Sequence, residues 1–203
     1  MGRIQTLALG LVAISALSGC VGHTYSNART ASLAIAASGH SEIQDWSFGS
    51  LEVTVPQSLV VSEENSFKPG ADIVWREDPP GDRHQQIDQL MTEALVAALR
   101  PMRGSRPVRI ELQVTRFHAL TERTRYTYGG EHEIEFILTV RDANTGAVLR
   151  GPRPVDLTFP AAGGQVALAE EARGYFQRDA IQERLTNWAL AEFRLADFLT
   201  VSN

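Results

Sequence analysis

Glu131-His132-Glu133-Ile134-Glu135-Phe136-Ile137-Leu138-Thr139-Val140 is the stretch that decides the fold. His132, Ile134, Phe136, Leu138 and Val140 fall on one side, while Glu131, Glu133, Glu135, Ile137 and Thr139 fall on the other. That two-residue period is the mark of a strand with one face in a core. Directly downstream, Asp142-Ala143-Asn144-Thr145-Gly146 has the chemistry of a five-residue hairpin loop, with Asn144 or Gly146 available for positive φ. Ala147 to Phe159 then returns as a partner strand. Pro152 and Pro154 lack a donor N–H, so this last strand is expected to bend or to lie at a sheet edge.

Upstream, Val108, Ile110, Leu112 and Val114 alternate with polar neighbours and give a further strand. Before it, Asp82 is a good N-cap, and Gln85 three residues on completes a capping-box pattern. Ile87, Leu90, Met91, Ala94, Leu95 and Ala98 then form one apolar helical face, and Pro101 stops the helix near Arg100. Folded structure is expected to begin near Trp46, with a strand carrying Leu51, Val53 and Val55 and ending at Pro56. Leu59 to Val61 is a short apolar patch, and Ile73-Val74-Trp75 reads as a small strand ahead of Pro79-Pro80-Gly81. At the other end Ile181, Leu185, Trp188, Ala189, Leu195 and Leu199 repeat at three and four. Gly174 divides a weaker part, Gln165 to Arg173, from a main helix at about Gln177 to Leu199. Two helices with one apolar stripe each must bury it. The expected fold is therefore α+β, a four-stranded, mostly antiparallel sheet in the order β-α-β-β-β-α with both helices on one face.

The amino-terminal segment has a different character. Leu7 to Leu17 is an apolar run far short of the roughly 20 residues that span a bilayer. It reads as the h-region of a signal peptide, with Arg3 as the positive n-region and Ser18 and Gly19 as the small residues before a cleavage point. The tetrapeptide Leu17-Ser18-Gly19-Cys20 resembles the lipobox of bacterial prolipoproteins, and Cys20 is the chain's only cysteine. The resemblance implies diacylation of the Cys20 sulfur, commonly with a third acyl chain on the new amino terminus, so no disulfide is expected. One acyl chain binds a membrane marginally and two hold it stably, at about 0.8 kcal/mol per buried CH₂. Val21 stands where an aspartate would resemble an inner-membrane retention signal, which favours the outer membrane. The expected organisation is a signal peptide over 1–19, a lipidated amino terminus and tether over 20–45, and a single periplasmic domain over 46–203. The Ser-, Ala- and Gly-rich tether, if flexible, spans on the order of 25–30 Å.

The formal net charge is −5, and loss of Arg3 with the leader takes it to −6. This disfavours nucleic acid and anionic lipid as partners, since both reward positive charge. Over Trp46 to Phe159, the text Val55-Pro56-Gln57-Ser58-Leu59-Val60-Val61-Ser62-Glu63-Glu64-Asn65, Ala71-Asp72-Ile73-Val74-Trp75, Gly81-Asp82-Arg83 and Arg116-Phe117-His118 resembles a family of uncharacterised lipoproteins of rhodobacteria and related alphaproteobacteria. That family has no assigned activity to imply one here. The element order and anchor are similar, at the level of fold, to the lipopolysaccharide-assembly lipoprotein and the auxiliary lipoproteins of ABC-type lipid transporters, and fold does not imply function.

Nothing catalytic is legible: there is no Gly-x-Ser-x-Gly elbow, His-Glu-x-x-His, phosphate loop or cysteine pair for zinc. No cofactor and no metal are expected. The histidines at 23, 40, 84, 118 and 132 are scattered. Glu131, Glu133 and Glu135 could form a cation-binding row, but the outer face of a half-buried strand is the simpler reading, with Arg123, Arg125 or Arg141 to neutralise it. The long connection Ser62 to Arg83 is the better functional candidate, since such loops are uncommon unless they work. Asp72, Trp75, Asp82 and Arg83 are its candidate partner-binding residues, Trp75 as the aromatic anchor. The alternative makes Ile73-Val74-Trp75 an extra strand that covers a sheet edge or the core. The expected function is a non-catalytic, membrane-anchored domain acting through contacts with an envelope protein in envelope assembly or maintenance. The alternatives are an accessory subunit of lipid or small-molecule transport, which needs a deep apolar groove between helices and sheet, and an envelope hydrolase.

Overall fold

Residues 45–195 are described by the computed structural model, and within them the Glu131–Val140 alternation lies in one long central strand. In chain order the elements are β1 (Trp46–Thr54), β2 (Ile73–Val74), α1 (Arg83–Leu99), β3 (Arg106–His118), α2 (Glu122–Arg125), β4 (Gly130–Asp142), β5 (Val148–Asp156), β6 (Phe159–Ala161), α3 (Gly164–Glu171) and α4 (Gln177–Glu192). The α+β class is as expected, but the sheet has six strands where four were expected.

The difference comes from splitting, because the six strands run in four lanes ordered β1-β3-β4-β5. β6 pairs with β4 in the register that β5 set, Asp156 opposite Glu135 and Phe159 opposite His132, so it is the same lane resumed after a break. β2 pairs with the far end of β3, beyond the stretch taken by β1. The β3–β4–β5 core is antiparallel, whereas β1 joins β3 in parallel, with α1 in the connection between them. Within β5, Gly151 takes φ +81° beside a register shift, where an added Cβ would lie 2.2 Å from the Leu138 carbonyl oxygen.

The inward set of β4 lies in the core, with Ile134, Phe136, Leu138 and Val140 at zero exposure. Val108, Ile110, Leu112 and Val114 of β3 join them, and Ile87, Leu90, Met91 and Leu95 of α1 together with Ile181, Leu185 and Ala189 of α4 complete one cluster. Both helices thus pack on the same face of the sheet and against each other. Each such aliphatic side chain stabilises the fold by about 1.5–3 kcal/mol through loss of apolar surface to water. Phe136 meets Trp188 edge-on with ring centroids 5.0 Å apart.

Helix ends follow local chemistry. Asp82 Oδ1 accepts the Gln85 N–H at 3.2 Å. At the start of α4, Asp179 reaches back to the Phe176 N–H at 2.8 Å, while Glu77, from the long connection, accepts the N–H groups of Gln177 and Arg178 at 2.9 and 3.0 Å. The helix ends at Glu192, short of the Leu199 that periodicity suggested; Arg194 takes φ +54° and the Leu195 N–H bonds to the Leu190 carbonyl, a left-handed C-terminal cap. Leu199, the leader and lipobox residues Leu17, Ser18, Gly19 and Cys20, and the tether up to residue 44 lie outside the described residues. Among the described residues no helix is long and apolar enough to cross a membrane.

Candidate functional site

The connection from Ser62 to Arg83 is ordered by ion pairs as well as by the burial of Ile73, Val74 and Trp75. Arg83, only 4% exposed, donates from Nε and Nη2 to the two Glu63 carboxylate oxygens at 2.7 and 3.0 Å. Its Nη1 donates to the Asp78 and Pro79 carbonyls, each at 3.1 Å, and to Gln86 at 2.7 Å. One guanidinium therefore ties both ends of the connection to the first turn of α1. Arg76 binds Glu122 through Nε at 2.7 Å and also donates to the Glu63 carbonyl. Arg178 of α4 holds Asp78 at 2.5 Å.

These contacts set the local charge states. The Arg83 hydrogen bond holds Glu63 below the usual carboxylate range. Burial pushes Asp78 upward, but hydrogen bonds from Trp75 and Arg178 outweigh it and the net shift is downward. Glu77 moves the other way because burial prevails over its two backbone donors.

The four residues expected to meet a partner form no common surface. Trp75 has no exposed surface, stands edge-on to Phe117 at 5.8 Å and donates Nε1–H to Asp78 at 2.7 Å. Arg83 is spent on the clamp just described. Asp82 is the N-cap of α1, and Asp72 accepts the Val60 N–H at 2.9 Å, lacing Leu59–Val61 alongside β2. The partner-anchor reading of Trp75 and Arg83 therefore gives way to the covering-strand alternative: Ile73 and Val74 pair with the end of β3, and Trp75 continues into the core. A side chain with no accessible surface cannot seat in another protein's pocket.

What the connection presents outward is Phe67. The segment around it is tied to α2 and its N-cap: the Asn65 side chain accepts the Arg123 backbone N–H at 2.8 Å, and the Thr121 and Thr124 side chains donate to the Ser66 and Phe67 carbonyls at 2.7 and 2.5 Å. His118 Nε2 lies 3.1 Å from the Pro69 carbonyl oxygen. On this cradle Phe67, 42% exposed, stacks on Tyr128, 69% exposed, at 5.2 Å, and the Arg123 guanidinium lies 4.5 Å over the Phe67 ring. A cleft of about 190 Å³ opens beside the pair, bordered also by Lys68 and Glu131. Sequence reasoning missed these residues. The signal was a lone phenylalanine in the polar run Ser66-Phe67-Lys68-Pro69-Gly70 and two tyrosines in the turn Tyr126-Thr127-Tyr128-Gly129.

In the glutamate row on β4, Glu133 is held by cations other than those expected. Glu133 is held by Arg116 at 2.5 Å and Lys68 at 2.6 Å, while Arg141 pairs with Glu111, and Arg125 with Glu171. Among the described residues no group of three or more His, Cys, Asp or Glu side chains could hold a metal ion. His84 borders the Leu59 carbonyl at 3.3 Å, and His23 and His40 lie outside the described residues.

His132, 1% exposed, is a buried titratable group on the inward side of β4, its pKa brought down to about 4 by burial and then by the Arg125 charge. The unfolded chain takes a proton below about 6.5, and the folded state resists it. The resulting stability is present above pH 6.5 and lost as the pH falls towards 4, a loss on the order of 3 kcal/mol. Urea unfolding at pH 7 and pH 5 is expected to show this slope in the wild type and a flatter one in His132→Phe.

The fold and site define a small α+β domain that presents a clamped aromatic pair. The chain belongs to a family of unknown function, DUF6778, whose model matches residues 46–200. No curated protein matches it. Among solved structures it is similar to an uncharacterised protein, at 14% identity and a TM-score of 0.41, covering 74% of this chain and 91% of that one. It is also similar to a candidate lipoprotein from Caulobacter crescentus CB15, at 18% identity and a TM-score of 0.25, covering 75% of this chain and 96% of that one. Likenesses this distant leave the reading of the chain to its own residues.

Proposed function

We propose that this protein is a lipid-anchored envelope lipoprotein whose domain acts without catalysis, through contact with another envelope protein in envelope assembly or maintenance. Acylation at Cys20, after recognition of Leu17-Ser18-Gly19, holds it to a membrane, the outer one on the strength of Val21, with the domain in the periplasm. The observation that carries the contact role is the exposed Phe67–Tyr128 pair under Arg123. Aromatic rings and arginine supply most of the binding energy at protein interfaces. Here the four hydrogen bonds to residues 65–69 hold the ring's backbone in advance, which reduces the ordering that binding requires.

The test is crosslinking and pull-down of the acylated full-length protein from native membranes, wild type against the double variant Phe67→Ala/Tyr128→Ala. The wild type is expected to capture a defined envelope protein, and the double variant to lose at least about tenfold of that yield, since a hot-spot residue is worth roughly 2 kcal/mol or more. Equal capture by both proteins, or no specific capture by the wild type, would contradict the proposal.

A further inference from the structure

β3 and β4 separate after His118 and Glu133, the last pair of their ladder. Backbone groups along a strand point alternately to its two neighbouring lanes. The Phe117 and Ala119 N–H groups reach Asp72 and Val74 on the β2 side, so His118 and Leu120 face β4. On β4 the Ile134 carbonyl accepts the Leu157 N–H on the β5 side, and β6 continues that lane with Glu131 opposite Pro160, which has no N–H to give. Glu133 and Glu131 therefore face β3. Continued past its last pair, the register would set Leu120 against Glu131. That pair does not form, because Gln177 of α4 has taken Leu120: its Oε1 accepts the Leu120 N–H at 3.1 Å and its Nε2 donates to the Leu120 carbonyl at 3.3 Å. The Glu131 N–H and C=O are left facing the split, and among the described residues no hydrogen bond takes either.

The cleft of about 190 Å³ beside Phe67 and Tyr128 lies over this split, with Ala119 and Leu120 on one side and Gly129, Gly130 and Glu131 on the other. Gly130 and Glu131 are both exposed. A Cβ on Gly130 would already lie 3.2 Å from Leu120 Cδ2, so the split has no room for another strand, whose lane takes about 4.7–4.9 Å. The charges around it cancel. Lys68 and Arg116 stand against Glu131 and Glu133, and burial holds His118 below its usual range and neutral. The site thus complements a neutral group that donates and accepts side by side. One such group already sits on the other half of the split ladder, the carboxamide of Gln177.

We propose that the partner inserts an asparagine or glutamine side chain into this cleft, its carboxamide bonded to the Glu131 N–H and C=O as Gln177 is bonded to Leu120, with Tyr128 beside its stem. This inference rests on the contact reading above and names the chemistry that the contact selects.

Benzamide is the probe, titrated into isotope-labelled full-length protein and followed by NMR at the Glu131 amide. A saturable shift at millimolar concentrations is expected. N,N-dimethylbenzamide, which cannot donate, and benzoate, which is charged, should each bind at least about fivefold more weakly, the effect of one lost hydrogen bond. Glu131→Pro removes the free N–H and no sheet hydrogen bond, and should weaken benzamide by about the same fivefold. Glu131→Gln changes only the side chain and should bind as the wild type does. If Glu131→Pro does not fold, amide exchange in the wild type decides: Glu131 is expected to exchange at least about tenfold faster than His132 and Ile134, and to slow when benzamide saturates the site. Equal protection of these amides in the free protein, no saturable shift, or equal binding of the probes would overturn the proposal. The pull-down reports on the contact reading separately: capture that depends on Phe67 and Tyr128, together with no benzamide binding, keeps that reading and removes this one.

Discussion

Trp75→Ala is expected to lower the unfolding free energy by about 3–5 kcal/mol, the range for large aromatics removed from a core, and to bring the thermal midpoint down by roughly 6–20 °C for a domain of this size. The expectation rests on position. Trp75 is fully buried against Phe117, its indole N–H satisfies Asp78, and the Arg178 guanidinium lies 5.5 Å over its ring. Truncation leaves a cavity and also removes a donor from a carboxylate that helps fasten α4 to the long connection. Trp75→Phe, which keeps a ring but loses the N–H, should cost less, about 1–3 kcal/mol. Circular dichroism melts of both variants check this. A midpoint for Trp75→Ala within about 2 °C of wild type would contradict the core placement, because a surface substitution costs within about 0.5 kcal/mol.

Cys20→Ser is the second large effect. A sulfur that carries two acyl chains anchors durably, and serine cannot take its place in a thioether. The proposal predicts that the variant leaves the membrane pellet while the domain keeps its wild-type melting midpoint, since folding as described involves residues from 45 onward. Fractionation of cells expressing each form measures it. Full retention of Cys20→Ser in the membrane fraction would count against the anchor, and loss of folding would count against a domain that stands apart from its tether.

The course of the chain through β3, β4 and α1 was legible because one-dimensional periodicity is enough when an element has one buried face. Ile134, Phe136, Leu138 and Val140, and likewise Ile87, Leu90, Met91 and Leu95, went where their spacing put them. The division of lanes was not legible, since pairing Ile73 with Phe117 depends on a partner distant in sequence and on where β1 stops. The exposed aromatic pair was hidden for the same reason. Phe67 stands outward because Thr121, Thr124 and His118 hold the backbone beside it, and those partners are about fifty residues away. Trp75 misled because an aromatic in a polar loop reads equally well as an anchor or as a core residue, and only its burial decides. His132 and Asp142 are the polar members of the inward-alternating set of β4, and a polar group in that register has to be satisfied or serve a purpose.

Intact-mass and peptide spectrometry of the mature protein, purified from membranes, tests the account most directly. The predicted result is an amino-terminal peptide that begins at Cys20 and carries the mass of a diacylglyceryl thioether, with or without a third acyl group on its amine. An unmodified Cys20 thiol, or a chain that still carries residues 1–19, would contradict it.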